Sequence, residues 1–267
     1  MRYVEVDPGV RMAYEDRGAG RPIVFVHGWG GSGEVWDNQV LDLADRFRVI
    51  TVDLRGHGAS DKPWETYNYE LFCRDLKSLM EHLGLEDVTL VGWSMGGHVG
   101  LKFVHTIGAP VQRLVITGSG PRFLQAPDAP YGGAADSADA LCDAIANAHT
   151  ETVAGLYANN FYRTDLGATC DRFIRIGLQV PAFVALSSFQ ALLAEDLRAD
   201  LPEIDMPIAV FASRHDLIWD PAWSEYVAKS APNAKLTYFE HSGHVAFVED
   251  RSAWNRALVD FVASTSG

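Results

Sequence analysis

The pentapeptide Gly92-Trp93-Ser94-Met95-Gly96 places a serine between two glycines. An apolar stretch typical of a strand, Val88–Val91, precedes it, and a pattern typical of a helix follows it. A serine on such a sharp turn from a strand to a helix presents its hydroxyl above the sheet, in a space that flanking side chains would otherwise fill. The N-terminus of the following helix favours negative charge that develops nearby. The pattern therefore predicts that Ser94 is a nucleophile.

A serine hydroxyl is a weak nucleophile unless a base removes its proton, and a histidine base needs a carboxylate that orients it. His244 lies between the last predicted strand and the closing helix, in a loop that can reach back over the edge of the sheet. Asp216 directly follows the penultimate strand, where the site residues of parallel sheets gather. Asp220 is the alternative acid, but it lies further from that strand end. We therefore predict a catalytic triad of Ser94, Asp216 and His244.

Acyl transfer also needs two N–H donors that bind the oxyanion of the tetrahedral intermediate. The predicted donors are the backbone N–H groups of Met95, directly after the nucleophile, and of Trp29, in a glycine-rich loop. Apolar residues near these motifs are predicted to line a substrate pocket: Trp29, Trp93, Met95, Phe123, Phe161, Tyr162, Phe183, Leu217 and Val245. A mostly apolar pocket suits an acyl, aryl or lactone substrate.

Short apolar runs bounded by glycines and polar residues predict the strands that must position these groups. Runs of this kind are typical of strands that are buried on both faces of a parallel sheet. They are Pro22–Val26, Phe47–Asp53, Val88–Gly92, Leu114–Gly118, Pro207–Ala212 and Lys235–Phe239. Helical patterns separate most of them, which indicates repeated strand–helix–strand units and an α/β fold.

The alternation of strands and helices breaks at Gly120-Pro121. Residues 121–200 contain several helix-like segments and no convincing strand, and the strand pattern resumes afterwards. We therefore predict one core domain made of residues 1–120 and 201–267, with a helical cap of residues 121–200 inserted in it.

Composition excludes several classes of protein. The chain has 267 residues, a formal net charge of −13 and 48% hydrophobic residues, which is ordinary for one globular protein. The acidic balance argues against a nucleic-acid partner and against an anionic membrane surface. No apolar run approaches the roughly 18–20 residues of a membrane helix, and the first residues lack the pattern of a signal peptide. We expect no membrane partner and a cytoplasmic location.

The sequence gives no support for a metal or a cofactor. The three cysteines are an odd number without a Cys-x-x-Cys pair, which disfavours a disulfide scaffold and a thiolate zinc site. His98 and His105 lie on one predicted helix without an evident third ligand. His27 and His57 are expected to brace loops. Serine acyl transfer needs no cofactor, so none is predicted.

Five segments together resemble the α/β-hydrolase family, in its serine-dependent branch. In the order of the family they are His27-Gly28-Trp29-Gly30, Asp53–Ser60, Gly92–Gly97, the Asp216 loop and Gly243-His244. They extend over essentially the whole chain and are most similar to small bacterial esterases, lactonases and cofactor-free haloperoxidases. The resemblance implies an eight-stranded, mostly parallel sheet that is flanked by helices, with a helical cap inserted after the sixth strand.

The residues and the resemblance together predict a serine hydrolase that cleaves a small apolar carboxylic ester or lactone through an acyl-enzyme, as a monomer or homodimer. A carbon–carbon bond hydrolase, an amidase, a thioesterase or a perhydrolase could use the same triad. Haloalkane dehalogenases and epoxide hydrolases are disfavoured because they carry an aspartate where this chain has Ser94. A ligand-binding receptor on a hydrolase scaffold is the alternative of another class, although a receptor has no chemical need for a triad.

Overall fold

A single eight-stranded sheet runs through the centre of the molecule. The computed structural model describes residues 1–265. The strands are β1 (Arg2–Asp7), β2 (Val10–Arg17), β3 (Pro22–Val26), β4 (Arg48–Asp53), β5 (Val88–Trp93), β6 (Val111–Thr117), β7 (Ile208–Ser213) and β8 (Ala234–Phe239). Their order in the sheet is β1-β2-β4-β3-β5-β6-β7-β8. β2 is antiparallel to both β1 and β4, and every other neighbouring pair is parallel. The predicted eight-stranded, mostly parallel sheet is confirmed.

Helices cover both faces of this sheet. They are α1 (Asp37–Leu43), α2 (Tyr69–His82), α3 (Met95–Thr106), α4 (Ala135–Asn147), α5 (His149–Ala158), α6 (Gly167–Gly177), α7 (Ala182–Ala194), α8 (Pro221–Ser230), α9 (Ala246–Glu249) and α10 (Arg251–Ser264). Successive side chains of a strand point to opposite faces. Accordingly, Val24 of β3 packs in a core with α2, α3 and α8, whereas Phe25 packs in a second core with α1 and α10.

Four α-helices, α4 to α7, lie between β6 and β7, after the sixth strand as expected. We refer to residues 121–200 as the helical insertion. Hydrogen bonding joins its two ends, because the N–H of Leu197 donates to the carbonyl of Pro121 at 2.8 Å. An ion pair of 2.7 Å between Arg122 and Asp196 lies beside this bond. The insertion therefore leaves the core and returns to it at nearly the same place.

Among residues 1–265, no single helix is long and apolar enough to span a membrane. The segments Thr164–Gly177 and Ala182–Ala194 reach the necessary length and composition only as a pair, and they are bent by 97° relative to each other.

The turn from β5 to α3 holds Ser94 in an unusual backbone conformation, with φ 55° and ψ −123°. A non-glycine residue in such a conformation stores strain of about 1–3 kcal/mol. Hydrogen bonds hold both sides of the residue. Its N–H donates to the carbonyl of Thr117 at 3.0 Å, and its carbonyl accepts the hydroxyl of Ser119 at 2.8 Å. The serine side chain is thereby fixed at the end of β5.

The glycines around Ser94 are required by close backbone packing. A Cβ atom on Gly92 would overlap the carbonyl oxygen of Gly96 and lie 2.5 Å from the nitrogen of Gly97. A Cβ atom on Gly96 would lie 2.5 Å from the carbonyl oxygens of both Val26 and His27. Backbone atoms cannot move aside as the end of a flexible side chain can. The glycines therefore allow α3 to begin directly against β3.

Two buried histidines join the loops that follow β3 and β4. The Nε2 atom of His27 accepts the N–H of Leu54 at 3.0 Å, so its Nδ1 atom donates to the carbonyl of Gly28 at 2.7 Å. His57 packs 5.0 Å from the His27 ring, and its Nδ1 atom lies 3.0 Å from the carbonyl of Arg55. Burial lowers the pKa of His27 to about 4 and that of His57 to about 3. Both rings are therefore neutral near pH 7.

His98, on α3, is a third buried histidine with a lowered pKa. Its Nε2 atom donates to the carbonyl of Pro121 at 3.0 Å, and its Nδ1 atom lies 3.1 Å from the hydroxyl of Tyr69. Burial lowers its pKa to about 3. Both ring nitrogens are therefore engaged within the protein. In the part of the chain that the structure describes, no three side chains of the metal-binding types are grouped as a metal site.

We expect Gly92→Ala to lower the free energy of unfolding by about 3 kcal/mol, because the added methyl group meets backbone atoms that cannot retreat. Gly155→Ala is the matched control. Gly155 lies inside α5 with nothing within 4 Å of the added methyl group, so this change should raise stability by about 0.5–1 kcal/mol. Urea unfolding of both variants measures the difference. Equal effects would show that the turn at Ser94 has room for a side chain.

We expect stability to fall steeply as the pH is lowered below about 6.5. In the unfolded chain His27, His57 and His98 bind protons near pH 6.5, whereas in the folded protein they do so only near pH 3–4. The unfolded state therefore takes up protons first, and each histidine should lower the free energy of unfolding by about 2 kcal/mol between about pH 7 and pH 5. Urea unfolding across this range measures the slope. His57→Asn should reduce proton uptake by one, and an unchanged slope would contradict the assignment.

Candidate active site

Asp216 and His244 form a buried pair between the ends of β7 and β8. The His244 Nδ1 atom lies 2.8 Å from Asp216 Oδ2, and the two side chains are 1% and 2% exposed. The other carboxylate oxygen accepts the N–H groups of Ile218 at 2.8 Å and Trp219 at 2.9 Å. A carboxylate oxygen only accepts, so Nδ1 carries the proton. The Nε2 atom of a neutral His244 is then unprotonated and can act as a base.

Asp220, the alternative acid, has a different role in the structure. Its Oδ1 atom accepts the N–H of Ala222 at 3.0 Å and so caps α8. Its Oδ2 atom accepts the N–H of Gly132 at 3.1 Å, in the helical insertion. Asp216 is thus the carboxylate that contacts His244.

His244 is held by its backbone as well as by its side chain. Its N–H donates to the carbonyl of Asn160 at 2.8 Å, and its carbonyl accepts the indole N–H of Trp93 at 2.9 Å. Asn160 belongs to the helical insertion, whereas Trp93 immediately precedes Ser94 on β5. The loop that carries His244 is therefore fixed between the helical insertion and the turn that carries Ser94.

A buried carboxylate, Glu249, makes a second connection between the loop that carries His244 and the helical insertion. It accepts the N–H groups of Tyr162 at 2.9 Å and Arg163 at 2.6 Å on one oxygen, and the N–H of Gly243 at 2.6 Å on the other. Burial raises the pKa of Glu249, whereas the three N–H donors act in the opposite direction. No motif in the sequence indicates this residue, because its role depends on how the insertion folds back onto α9.

Ser94 and His244 line the same cavity. Its walls come from the loop after β3, the turn at Ser94, the helical insertion and the loop after β7. The lining residues are Trp29, Trp93, Ser94, Phe123, Leu141, Leu156, Tyr157, Asn160, Phe189, Leu192, Ile218 and His244. The cavity is largely apolar, so it can hold an apolar group beside the serine and the histidine.

Three of the nine predicted pocket residues line this cavity: Trp29, Trp93 and Phe123. Met95 and Val245 are fully buried in the two cores instead. They neighbour Ser94 and His244 in sequence, but side chains of consecutive residues point in different directions. The side chains at these two predicted positions therefore lie outside the lining of this cavity.

The structure also places four further predicted pocket residues outside the cavity lining. Leu217 follows Asp216 but is 78% exposed. The other three pack against aromatic rings outside the cavity lining. Phe161 lies 5.4 Å from Phe173, Tyr162 stacks on His215 at 3.7 Å, and Phe183 lies 4.5 Å from Trp64.

The lining residues that sequence reasoning missed come mainly from the insertion. They are Leu141 of α4, Leu156 and Tyr157 of α5, Asn160, Phe189 and Leu192 of α7, and Ile218 after β7. Their helical spacing is the available signal, since residues three or four apart share one face of a helix. That spacing identifies an apolar face, but it does not distinguish a cavity wall from a core.

The loop after β3 lies directly against the turn at Ser94. A Cβ atom on Gly28 would lie 3.0 Å from the Cβ atom of Ser94. Trp29 is anchored in this loop, because its indole N–H donates to the carbonyl of Ala185 and its carbonyl accepts the hydroxyl of Tyr157, both at 2.8 Å. Within residues 1–265, the backbone N–H groups of Trp29 and Met95 have no hydrogen-bond acceptor. Both can therefore donate to a bound molecule.

Known proteins resemble this chain over nearly its whole length. A family model described as the alpha/beta hydrolase fold matches residues 21–251. An AB hydrolase superfamily protein of Bacillus subtilis is 32% identical over 262 residues, which cover 97% of this chain and 98% of that protein. A non-heme chloroperoxidase of Kitasatospora aureofaciens is 31% identical over 265 residues, which cover 95% and 96%.

The structure of an esterase from Exiguobacterium antarcticum is similar to this one with a TM-score of 0.94 at 29% identity, and the match covers 98% of each chain. The sheet order, the serine turn after β5 and these matches lead to one conclusion. The chain belongs to the α/β-hydrolase fold family.

Proposed function

We propose that this hydrolase cleaves a carboxylic ester or lactone through an acyl-enzyme, with Ser94, Asp216 and His244 as its catalytic triad. The observation that carries the proposal is the 2.8 Å contact between His244 Nδ1 and Asp216 Oδ2 beside a cavity that Ser94 also lines. A buried carboxylate stabilises the imidazolium that forms when the histidine takes a proton.

The reaction follows from these positions in two halves. In the first, His244 Nε2 takes the proton of Ser94 while the serine oxygen attacks the carbonyl carbon of the substrate. The tetrahedral intermediate then collapses, and His244 returns the proton to the leaving alcohol. In the second, His244 takes a proton from water, whose oxygen attacks the acyl-enzyme. Collapse of the second intermediate releases the acid and restores the Ser94 hydroxyl.

The backbone N–H groups of Trp29 and Met95 are the proposed oxyanion donors. Neither has an acceptor among the described residues, and both belong to segments that adjoin Ser94. Met95 also begins α3, whose positive N-terminal end favours the developing negative charge. Donors that are already in place need no reorganisation during the reaction, which is why they lower its barrier.

The helical insertion is the proposed cap over the substrate. Residues of α4, α5 and α7 supply one side of the cavity, and the loop after β3 supplies another. The similarity to an esterase at 29% identity supports ester substrates. A largely apolar cavity suits a small apolar ester or lactone.

A perhydrolase is the second candidate function, because a relative that is 31% identical is named a non-heme chloroperoxidase. In this case hydrogen peroxide, instead of water, would attack the acyl-enzyme and release a peracid. The triad and the oxyanion donors would serve unchanged. Peracid formation in the presence of hydrogen peroxide distinguishes this acyl acceptor from water.

We expect Ser94→Ala to lower kcat for aryl esters and lactones by about 10⁴-fold or more, since the nucleophile is lost while binding remains. Steady-state hydrolysis of nitrophenyl esters of increasing acyl length measures this change. Ser252→Ala, at an exposed serine on α10, is the matched control and should retain full turnover. Undiminished hydrolysis by Ser94→Ala would reject serine catalysis. A wild-type protein that completes a single turnover and retains the product would favour a receptor.

We expect Asp216→Asn to lower kcat by about 10³–10⁴-fold, because an amide can neither select the Nδ1–H form of His244 nor stabilise its imidazolium. Asp220→Asn is the matched control, since asparagine also caps a helix and the bond to Gly132 that it gives up lies outside the cavity lining. It should leave kcat within about threefold of the wild type. Steady-state kinetics of both variants on one ester make the comparison. A larger loss in the Asp220 variant would contradict the assignment of the acid.

A further inference from the structure

Most polar side chains that line the cavity are already engaged with backbone carbonyls. The indole N–H of Trp29 donates to Ala185 and the indole N–H of Trp93 donates to His244. The hydroxyl of Tyr157 donates to the carbonyl of Trp29 at 2.8 Å. These groups contribute ring surface to the cavity, and their donors are not available to a bound molecule.

Asn160 differs from them. It is 5% exposed and lines the cavity, yet its side-chain amide has no hydrogen-bond partner among residues 1–265. Among the lining residues in the described part of the chain, the side-chain groups without a partner are the hydroxyl of Ser94, the Nε2 atom of His244 and the amide of Asn160. Polar side chains inside proteins are nearly always paired. The unpaired amide therefore points to a partner that enters the cavity.

The backbone of Asn160 fixes the position of this amide relative to the proposed base. Its N–H donates to the carbonyl of Tyr157 at 3.2 Å, and its carbonyl accepts the N–H of His244 at 2.8 Å. The residue is thus held on the histidine side of the cavity. A group that is bound by its amide would lie in the cavity that Ser94 and His244 also line.

We propose that Asn160 determines specificity by binding a second, neutral polar group of the substrate. An amide both donates and accepts, so it fits a hydroxyl, keto, ether or amide function. No lysine, arginine, aspartate or glutamate is among the lining residues, and an ion would be buried there without a counter-charge. The substrate class is then an ester or lactone that is apolar except for one additional neutral oxygen or nitrogen function. This inference rests on the proposed function.

The test compares matched esters in the wild type and in Asn160→Leu, which removes the amide but keeps the backbone bonds. One pair is methyl hexanoate and methyl 5-oxohexanoate, with the polar group on the acyl side. The other is butyl acetate and 2-methoxyethyl acetate, with the polar group on the alcohol side. We expect kcat/KM for the polar member of at least one pair to fall about 10–100-fold more than for its apolar partner. Comparing variants within a pair cancels differences in intrinsic reactivity.

Two further variants serve as controls for this comparison. Asn159→Leu changes the exposed neighbouring amide and should leave the preference within each pair unchanged. Asn160→Ser keeps a hydrogen-bonding group and should retain part of the preference, which reports on the amide even where the leucine variant folds poorly. An equal loss for polar and apolar members would overturn the proposal, because Asn160 would then act only through His244 or through bound water.

Calorimetry separates this inference from the proposed function. Binding of the four esters is measured on Ser94→Ala and on Ser94→Ala/Asn160→Leu, in which turnover is not needed. Tighter binding of a polar member that is lost with the amide supports the role of Asn160, even where the wild type hydrolyses no ester and the proposed function fails. Binding that does not depend on the amide overturns the role of Asn160, even where Ser94-dependent hydrolysis is found.

Discussion

The left-handed backbone of Ser94 is the constraint on which the rest of the site depends. With φ at 55°, the residue occupies a conformation that only its surroundings can maintain. Those surroundings are the hydrogen bond to Thr117 on β6 and the contact of Gly96 with the backbone of Val26 on β3. Both strands are the direct neighbours of β5 in the sheet. The sheet order, and not the pentapeptide alone, therefore keeps the serine hydroxyl beside the cavity.

The helical insertion does more than cover that cavity, because it also holds the proposed base. Asn160 accepts the N–H of His244, and Glu249 binds the backbone on both sides of this contact, at Tyr162 and Arg163 and at Gly243. The wall of the cavity and the placement of His244 thus depend on one segment. A change in the insertion that moves residues 160–163 would alter the geometry of the base as well as the shape of the cavity.

The parallel strands and the pairing of Asp216 with His244 could be predicted from local patterns, whereas the eight-stranded sheet was implied by the family resemblance. Apolar runs mark the strands, and the ends of parallel strands meet at one edge, so residues far apart in sequence come together there. The cavity wall could not be predicted in the same way. It depends on the angles at which α4, α5 and α7 pack, which no periodicity encodes. Leu217 illustrates the difference, since it adjoins Asp216 in sequence but is turned to solvent.

The contrast among the buried histidines shows what distinguishes the proposed base. His27, His57 and His98 are as buried as His244, but those of their ring nitrogens that have partners contact backbone groups or a tyrosine hydroxyl. Burial without a carboxylate keeps each of them neutral, with its pKa lowered to about 3 or 4. At His244 a carboxylate lies 2.8 Å from Nδ1, where it can stabilise a positive ring. Burial provides an ordered imidazole at all four positions, whereas the carboxylate partner makes one of them able to accept a proton during the reaction.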